Sequence, residues 1–442
     1  MESFTLGTGA SIYSQKLLPA ILSAEHEVIL VTCFWARSKT LTALSDTLAQ
    51  LARRREAQPP PQPLRIRICF SSRSLLQKIF HTSSRDGYIY PPSTWTSKLG
   101  LPSPEILAAG NIDLRVKSLF FLPFSVMHPK FVIVDRRKAF APSCNVSWEP
   151  WLEGCLELTR SAPSNDPIDG LLDFYCRVWD KHLDMDICHP VSQIAAQQQL
   201  GTVIRSPVDV SVQICDINVP PAAIEWLPSW HRRNPAFCLF PWQTPKAPDT
   251  PLNNTILRLF ERSTENIYLQ TPNLTAPPVL AAIMDALTRG VDVSIVTGRK
   301  MMLWEQVLTA FTTTERCIKS LIKNYSCLRR SVEDRKHRPV QFGDDHAVDI
   351  EAQLVTPGNL TISYYRPMVG SSTEEEPVQS HLKLSIFDGE HTVLGSGNMD
   401  RASWFTSQEL GILIRDVTFA HTVEDTVDAC LEGRLDPVFP ES

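Results

Sequence analysis

No window of the 442-residue chain approaches 18 consecutive apolar residues, so a membrane-spanning helix is not expected and any membrane contact is expected to be peripheral. No CxxC pair occurs among its eleven cysteines, an odd and scattered set. Neither a zinc site nor a disulfide framework is therefore suggested, and reduced thiols in a cytoplasmic protein are the simplest reading. The opening "MESFTLGTGASIYSQ" has no basic stretch leading into an apolar one, so no secretory signal is read there. Positive charge is not in excess either. The formal net charge is −5, which disfavours broad non-specific nucleic-acid binding without excluding a local basic face. What remains is an ordinary globular mix, 43% hydrophobic and 21% charged, long enough for two domains of about 200 residues.

What is present is a repeat. "HPKFVIVDRRKAFAPSCN" runs from His128 to Asn145 and "HLKLSIFDGEHTVLGSGN" from His381 to Asn398. Both read His, any, Lys, four residues, Asp, seven residues, Ser, any, Asn. From composition alone the His-x-Lys-x4-Asp part is expected about 0.02 times per chain, and the Ser and Asn make a chance match rarer still.

The repeat extends beyond these motifs. "SAEHEVILVTCFW" and "RSTENIYLQTPNL" both read as a polar lead into a buried strand. Each is followed by a helical stretch and a second strand, "LRIRICFSS" or "VDVSIVTGR", which makes a parallel crossover unit. "IDLRVKSLF" and "NLTISYYRP" then precede the motif strands. "GCLELTR" and "LGILIRD" follow them, and each half closes on a helix, "PIDGLLDFYCRVWDKH" or "FAHTVEDTVDACLEGRL". The expectation is two copies of one α/β domain, 1–183 and 251–442, joined by a linker at 184–250 rich in breaker residues. Stretches 56–63, 333–346 and 371–379 read as surface loops.

On a strand, residues i and i+2 share a face. His128 and Lys130 therefore point the same way, as do His381 and Lys383. Asp135 and Asp388 fall on the opposite face near a turn, which favours a structural or interface role. Ser143/Asn145 and Ser396/Asn398 open the next segment and can return donors to the His/Lys face. Two imidazoles suit a nucleophile and a general acid, while two ammonium groups and two amides suit a phosphoryl group gaining charge. No metal-ligand cluster is visible, and lysines can supply the charge a metal supplies elsewhere.

This duplicated motif, with its trailing Ser-x-Asn and its repeated α/β half, resembles the phospholipase D superfamily of phosphodiesterases over about residues 10–180 and 252–435. The second half is similar to the cardiolipin-synthase-like branch. The resemblance implies a pseudo-dimer of two α/β/α sandwich domains with one active site at their interface. It also implies a phosphohistidine intermediate, no metal or other cofactor, and a monomer built as an internal pair. His128, Lys130 and Asp135, with His381, Lys383 and Asp388, are the motif residues it marks as catalytic, and His128 is taken as the nucleophile. Lys130, Lys383, Asn145 and Asn398 would bind phosphoryl oxygens, supported by Ser143 and Ser396. A glutamate about eleven residues after each Asn would orient the histidine of its own half. Glu409 fits that place. In the first half position 156 is leucine, so Glu153 fits only with three residues deleted, and Glu157 is the rival. Gly395 obeys the family pattern before the Ser, and Pro142 departs from it.

The expected function is hydrolysis or phosphatidyl transfer on a phospholipid. The alternative is a nuclease or nucleic-acid-repair phosphodiesterase, for which "RKHRP" and "LARRRE" are candidate contacts. A third reading is a non-catalytic scaffold. Three further stretches carry two readings each. "MMLWEQVLTAFTTTERCIKSLIKNY" reads as a helix on the sheet or a membrane-surface helix. "IEWLPSWHRRN", with Trp226, Trp230, Arg232 and Arg233, reads as linker packing on the second domain or an interfacial anchor. Asp344, Asp345 and His346 read as a solvated loop or a metal site.

Overall fold

The computed structural model describes residues 2–74, 77–78, 86–121, 125–161, 166–183, 215–219, 223–230, 246–299, 301–336, 355–368 and 376–440. The loop with Asp344, Asp345 and His346, most of "RKHRP", and Arg232 and Arg233 lie outside the described residues.

The apolar run Glu27–Phe34 becomes a strand buried along almost all its length. It pairs in parallel with Leu64–Ser72, which pairs in parallel with Ile112–Ser118. On its other side it meets the motif strand Phe131–Val134 in antiparallel fashion. The second half repeats this. Asn266–Thr271 lies parallel to Asp292–Thr297, then Leu360–Tyr365, and antiparallel to the motif strand Leu384–Phe387. Beyond the motif strands follow Lys138–Pro142 then Trp151–Thr159, and His391–Gly395 then Glu409–Arg415. The first crossover helix starts where the sequence supplies a cap: Ser38 accepts from the amide of Leu41 at 3.0 Å to open Lys39–Ala57.

The two sheets share a core. Residues alternate along each motif strand. Phe131 and Ile133, with Leu384 and Ile386, enter one cluster that also takes in the closing helices Pro167–Val178 and Val417–Leu431. Val132 and Val134 face an outer core under Lys39–Ala57, and Phe387 faces the equivalent outer core of the second half. The architecture is thus two α/β sheets, with crossover helices such as Lys39–Ala57 on their outer faces and the two closing helices within a common apolar layer between them.

The stretch expected as a linker does more than span. Cys215–Val219 adds an edge strand to the first sheet and Ile224–Ser229 adds one to the second. Trp226 Nε1 donates to the Pro167 carbonyl at 2.7 Å, and its ring lies where a side chain at Gly170 would be, 2.4 Å from an added Cβ. Trp230 packs on Phe174 and under the Arg177 guanidinium. Both tryptophans therefore bind the closing helix of the first half. The strand itself packs on the second domain, as expected, so the stretch bridges both halves, and neither tryptophan is an exposed anchor.

Candidate active site

Each motif histidine is placed by a short stretch that pairs with the other half. Gln379–Ser380 lies parallel to Trp151–Leu152, and the His381 amide donates to the Leu152 carbonyl at 2.9 Å. In the mirror arrangement Met127 bridges Gln408, and the His128 amide donates to the Gln408 carbonyl at 2.9 Å. The residue after Leu152 is Glu153, and the residue after Gln408 is Glu409.

This stitching decides which carboxylate meets which imidazole. His381 Nδ1 is 2.9 Å from Glu153, and His128 Nδ1 is 2.9 Å from Glu409. The expectation that each glutamate serves its own half is corrected: the pairs are crossed. The structure also chooses between the rivals. Glu153 is buried against His381, whereas Glu157 faces Lys16 and Lys138. The three-residue difference in spacing has a local cause. After Asn398 the chain forms the helix Arg401–Phe405, while after Asn145 it turns tightly through Trp148, whose φ is +61°.

The serines hold the glutamates. Ser143 Oγ donates to Glu153 and accepts from the Gly154 amide at 2.9 Å. Ser396 Oγ donates to Glu409 and accepts from the Leu410 amide at 3.0 Å. Their expected role beside the phosphoryl group is therefore corrected to one of positioning a carboxylate. Pro142 does not disturb this unit. It sits in register with Cys155 next to the same Ser–Glu contact that Gly395 precedes in the second half.

Asp135 and Asp388 stand away from the imidazoles, contrary to their grouping with the catalytic motif. Asp135 accepts from the amides of Glu25, His26 and Glu27 at 2.8–3.0 Å. Asp388 accepts from those of Thr264, Glu265 and Asn266 at 3.0–3.1 Å. Both have positive φ, near +50°. Each caps the start of its central strand, as strand parity indicated.

Lys130 Nζ donates to the His128 carbonyl at 2.8 Å and Lys383 Nζ to the His381 carbonyl at 2.7 Å, both side chains buried. The four groups share one field. Burial lowers the His381 pKa to about 3; Glu153 pulls it up, and Lys383 and Lys130 push it down. Burial also lowers His128, against Glu409, with Lys130 and Lys383 adding to the fall. Lys383 drops to about 7, again first through burial, with Lys130 contributing. Burial alone would raise Glu153, yet His381, Lys383 and Ser143 hold it below the usual carboxylate value. The two sites of the repeat are thus one electrostatic unit.

The asparagines differ. Asn145 Oδ1 accepts from Thr32 Oγ1 and from the amides of Cys33 and Phe34 at 3.0–3.2 Å. Asn398 Nδ2 instead donates to Asp400 at 3.0 Å. Asp400 caps the helix Arg401–Phe405, and burial raises its pKa. It was not singled out in the sequence, although the D-x-x-S pattern of "DRAS" signals such a cap. Also missed was an aromatic wall. Phe34, Trp148 and Trp151 stack at 5.0 and 4.6 Å, and Trp151 lies 5.1 Å from the His381 ring. Nothing in their spacing marks them, because the contact depends on the Trp148 turn. Among the described residues, no group of three or more His, Cys, Asp or Glu could hold a metal ion.

Residues 256–431 match the family model of the cardiolipin synthase, PLD-like domain. That match lies within the second half of the chain. Phosphatidylserine synthase of Haemophilus influenzae Rd KW20 has a similar fold, with a TM-score of 0.52 at 15% identity over 98% of this chain and 87% of that one. Nuc, a phospholipase D family member from Salmonella typhimurium, aligns at 15% identity over 42% of this chain and 90% of its own, with a TM-score of 0.28. Polyphosphate kinase of Porphyromonas gingivalis aligns at 10% identity over 97% and 46%, with a TM-score of 0.47. No curated protein sequence matches the chain. No described helix is long and apolar enough to cross a membrane.

Proposed function

We propose that the protein is a phospholipid phosphodiesterase or phosphatidyltransferase working through a phosphohistidine on His381. The observation that carries the reaction class is the crossed pair of His–Glu contacts around two buried lysines. A carboxylate accepting from Nδ1–H fixes the tautomer, so Nε2 carries the lone pair. That is the state a nucleophile needs. The lysines and the Nδ2 hydrogens of Asn145 answer the charge that grows on the phosphoryl oxygens. The choice of lipid is supported by the cardiolipin synthase description of the matched family.

Burial separates the two histidines. The His381 side chain is 3% exposed and its pKa falls to about 3, so it stays neutral. The His128 side chain is 15% exposed, on the more open side where a leaving group departs. This reverses the sequence-based preference for His128 as nucleophile. In the first step His381 Nε2 attacks phosphorus and the P–O bond to the leaving alcohol breaks. His128 enters this step as the imidazolium, with Nδ1–H on Glu409 and Nε2–H towards the leaving oxygen, which takes that Nε2 proton. In the second step His128 takes a proton from water or an acceptor alcohol, whose oxygen displaces the histidine. The N–P bond breaks and both imidazoles return to their starting states. Domain 1–183 and domain 251–442 each supply one imidazole and the carboxylate that orients the other.

The test is a panel of phospholipids and oligonucleotides in excess chelator. Headgroup release or phosphatidyl transfer is expected. Cleavage of oligonucleotides alone would overturn the lipid choice, and no turnover of any diester would overturn the reaction class. With a lipid carrying an activated leaving group, His128→Asn is expected to accumulate an acid-labile phosphoenzyme and His381→Asn to form none. Label appearing only in the His381→Asn protein would reverse the assignment.

A further inference from the structure

The stretch "MMLWEQVLTAF" does not pack as a helix on the sheet. It forms a separate helix, Leu303–Ala310, ahead of Thr314–Lys336. The longer helix does bury Ile318, Leu321 and Tyr325. The shorter one is inverted. Its polar Gln306 faces inward, donating to the Met301 carbonyl at 2.6 Å and accepting from the Thr314 amide at 2.6 Å. Its apolar residues face out: Met302, Leu303, Val307, Leu308 and Phe311 are 38–55% exposed. These five are half of the exposed large hydrophobics among the described residues, gathered within ten positions. Leu303, Val307, Leu308 and Phe311 span an arc of about 140° at the helical 100° per residue. So concentrated an apolar face marks an interaction surface rather than scattered exposure.

Its place and its surroundings name the partner. The helix packs on Arg401–Phe405, which begins three residues after Asn398. Thr314, bonded to Gln306, also holds the Leu274 amide, and Leu274 bridges Met399. The helix that carries the apolar face is therefore one element away from Asn398 of the site. The helix that follows carries seven Lys and Arg against three Asp and Glu, with Arg316, Lys319 and Lys323 exposed, in a chain of net charge −5. An apolar helical face flanked by cations suits an anionic lipid surface.

We propose that Leu303–Ala310 and the exposed cations of the next helix dock the protein on a bilayer rich in anionic phospholipid, presenting the site to lipid without extracting it far into water. This rests on the phospholipid reading above, and its test does not use turnover. Co-sedimentation of the full chain would be measured with phosphatidylcholine vesicles and with vesicles containing phosphatidylglycerol. Binding is expected to rise with phosphatidylglycerol and to weaken with salt. Val307→Glu with Leu308→Glu is expected to weaken it about 10-fold or more, at unchanged thermal stability, since both side chains contact little of the fold. Lys319→Glu with Lys323→Glu should remove the dependence on phosphatidylglycerol. His381→Asn should bind as the wild type does, so loss of catalysis and loss of docking are separable. Wild-type protein that ignores both vesicle types, or apolar-face variants that bind unchanged, would overturn the proposal.

Discussion

Glu153 and Glu409 lie in one half each but act on the imidazole of the other, and this can be read at the level of single residues. Glu153→Gln keeps the shape and removes the charge facing His381. We expect turnover to fall by about 10²-fold or more, as when a histidine loses its orienting carboxylate. Nitrogen chemical shifts should move for His381 while those of His128 stay near their wild-type values. The reverse pattern would restore pairing within each half. Acid behaviour follows from the same burial. His381 binds its proton near pH 6.5 when unfolded and only near pH 3 when folded. The unfolded state then holds the extra proton in between, so stability should fall as pH drops from about 6.5 towards 3. Glu153 adds to that loss only below its ordinary value of 4.5. Between these limits His381→Asn should flatten the dependence of the denaturation midpoint on pH. Lys383 titrates near 7 and should be cationic below that. Sulfate, a fully ionised stand-in for the phosphoryl group, should bind more weakly as pH rises from about 6 to about 8.5, and Lys383→Met should abolish that trend.

Among the elements, the two aspartates of the repeat are the clearest case of a motif residue doing structural service. Asp135 gathers three backbone amides at the start of Glu27–Phe34, as Asp388 does for Asn266–Thr271. Asp135→Ala should cost about 2–4 kcal/mol in denaturant titration by stranding those donors, with KM nearly unchanged. A large loss of kcat at full stability would contradict this. Strand parity makes that role legible in the sequence, because it needs only local geometry. The crossed glutamates were not legible. Glu153 and Glu409 are placed by pairing of Trp151–Leu152 with Gln379–Ser380 and of Met127 with Gln408, contacts between residues more than two hundred positions apart. The stretch with the helix Leu303–Ala310 carries two readings in the sequence for a related reason. Apolar periodicity shows that a helix has a greasy face, not which way it turns, and here Gln306 takes the inner side.

For the whole molecule, the proposed mechanism implies that neither half alone holds a complete site. The repeated sheets were visible in the sequence because strand and helix periods repeat with the motif. The shared core between them, and the edge strands donated by 215–219 and 224–229, were hidden in a stretch that reads as breakers. With one apolar layer spanning both sheets, calorimetry should show a single unfolding transition rather than two. The most direct test of a single site is a crystal structure with vanadate bound. The account predicts one vanadium between the imidazoles, bonded to Nε2 of His381 with Nε2 of His128 on the opposite side and both lysines on its oxygens. Two vanadates in separate cavities, or one that touches a single histidine, would contradict it.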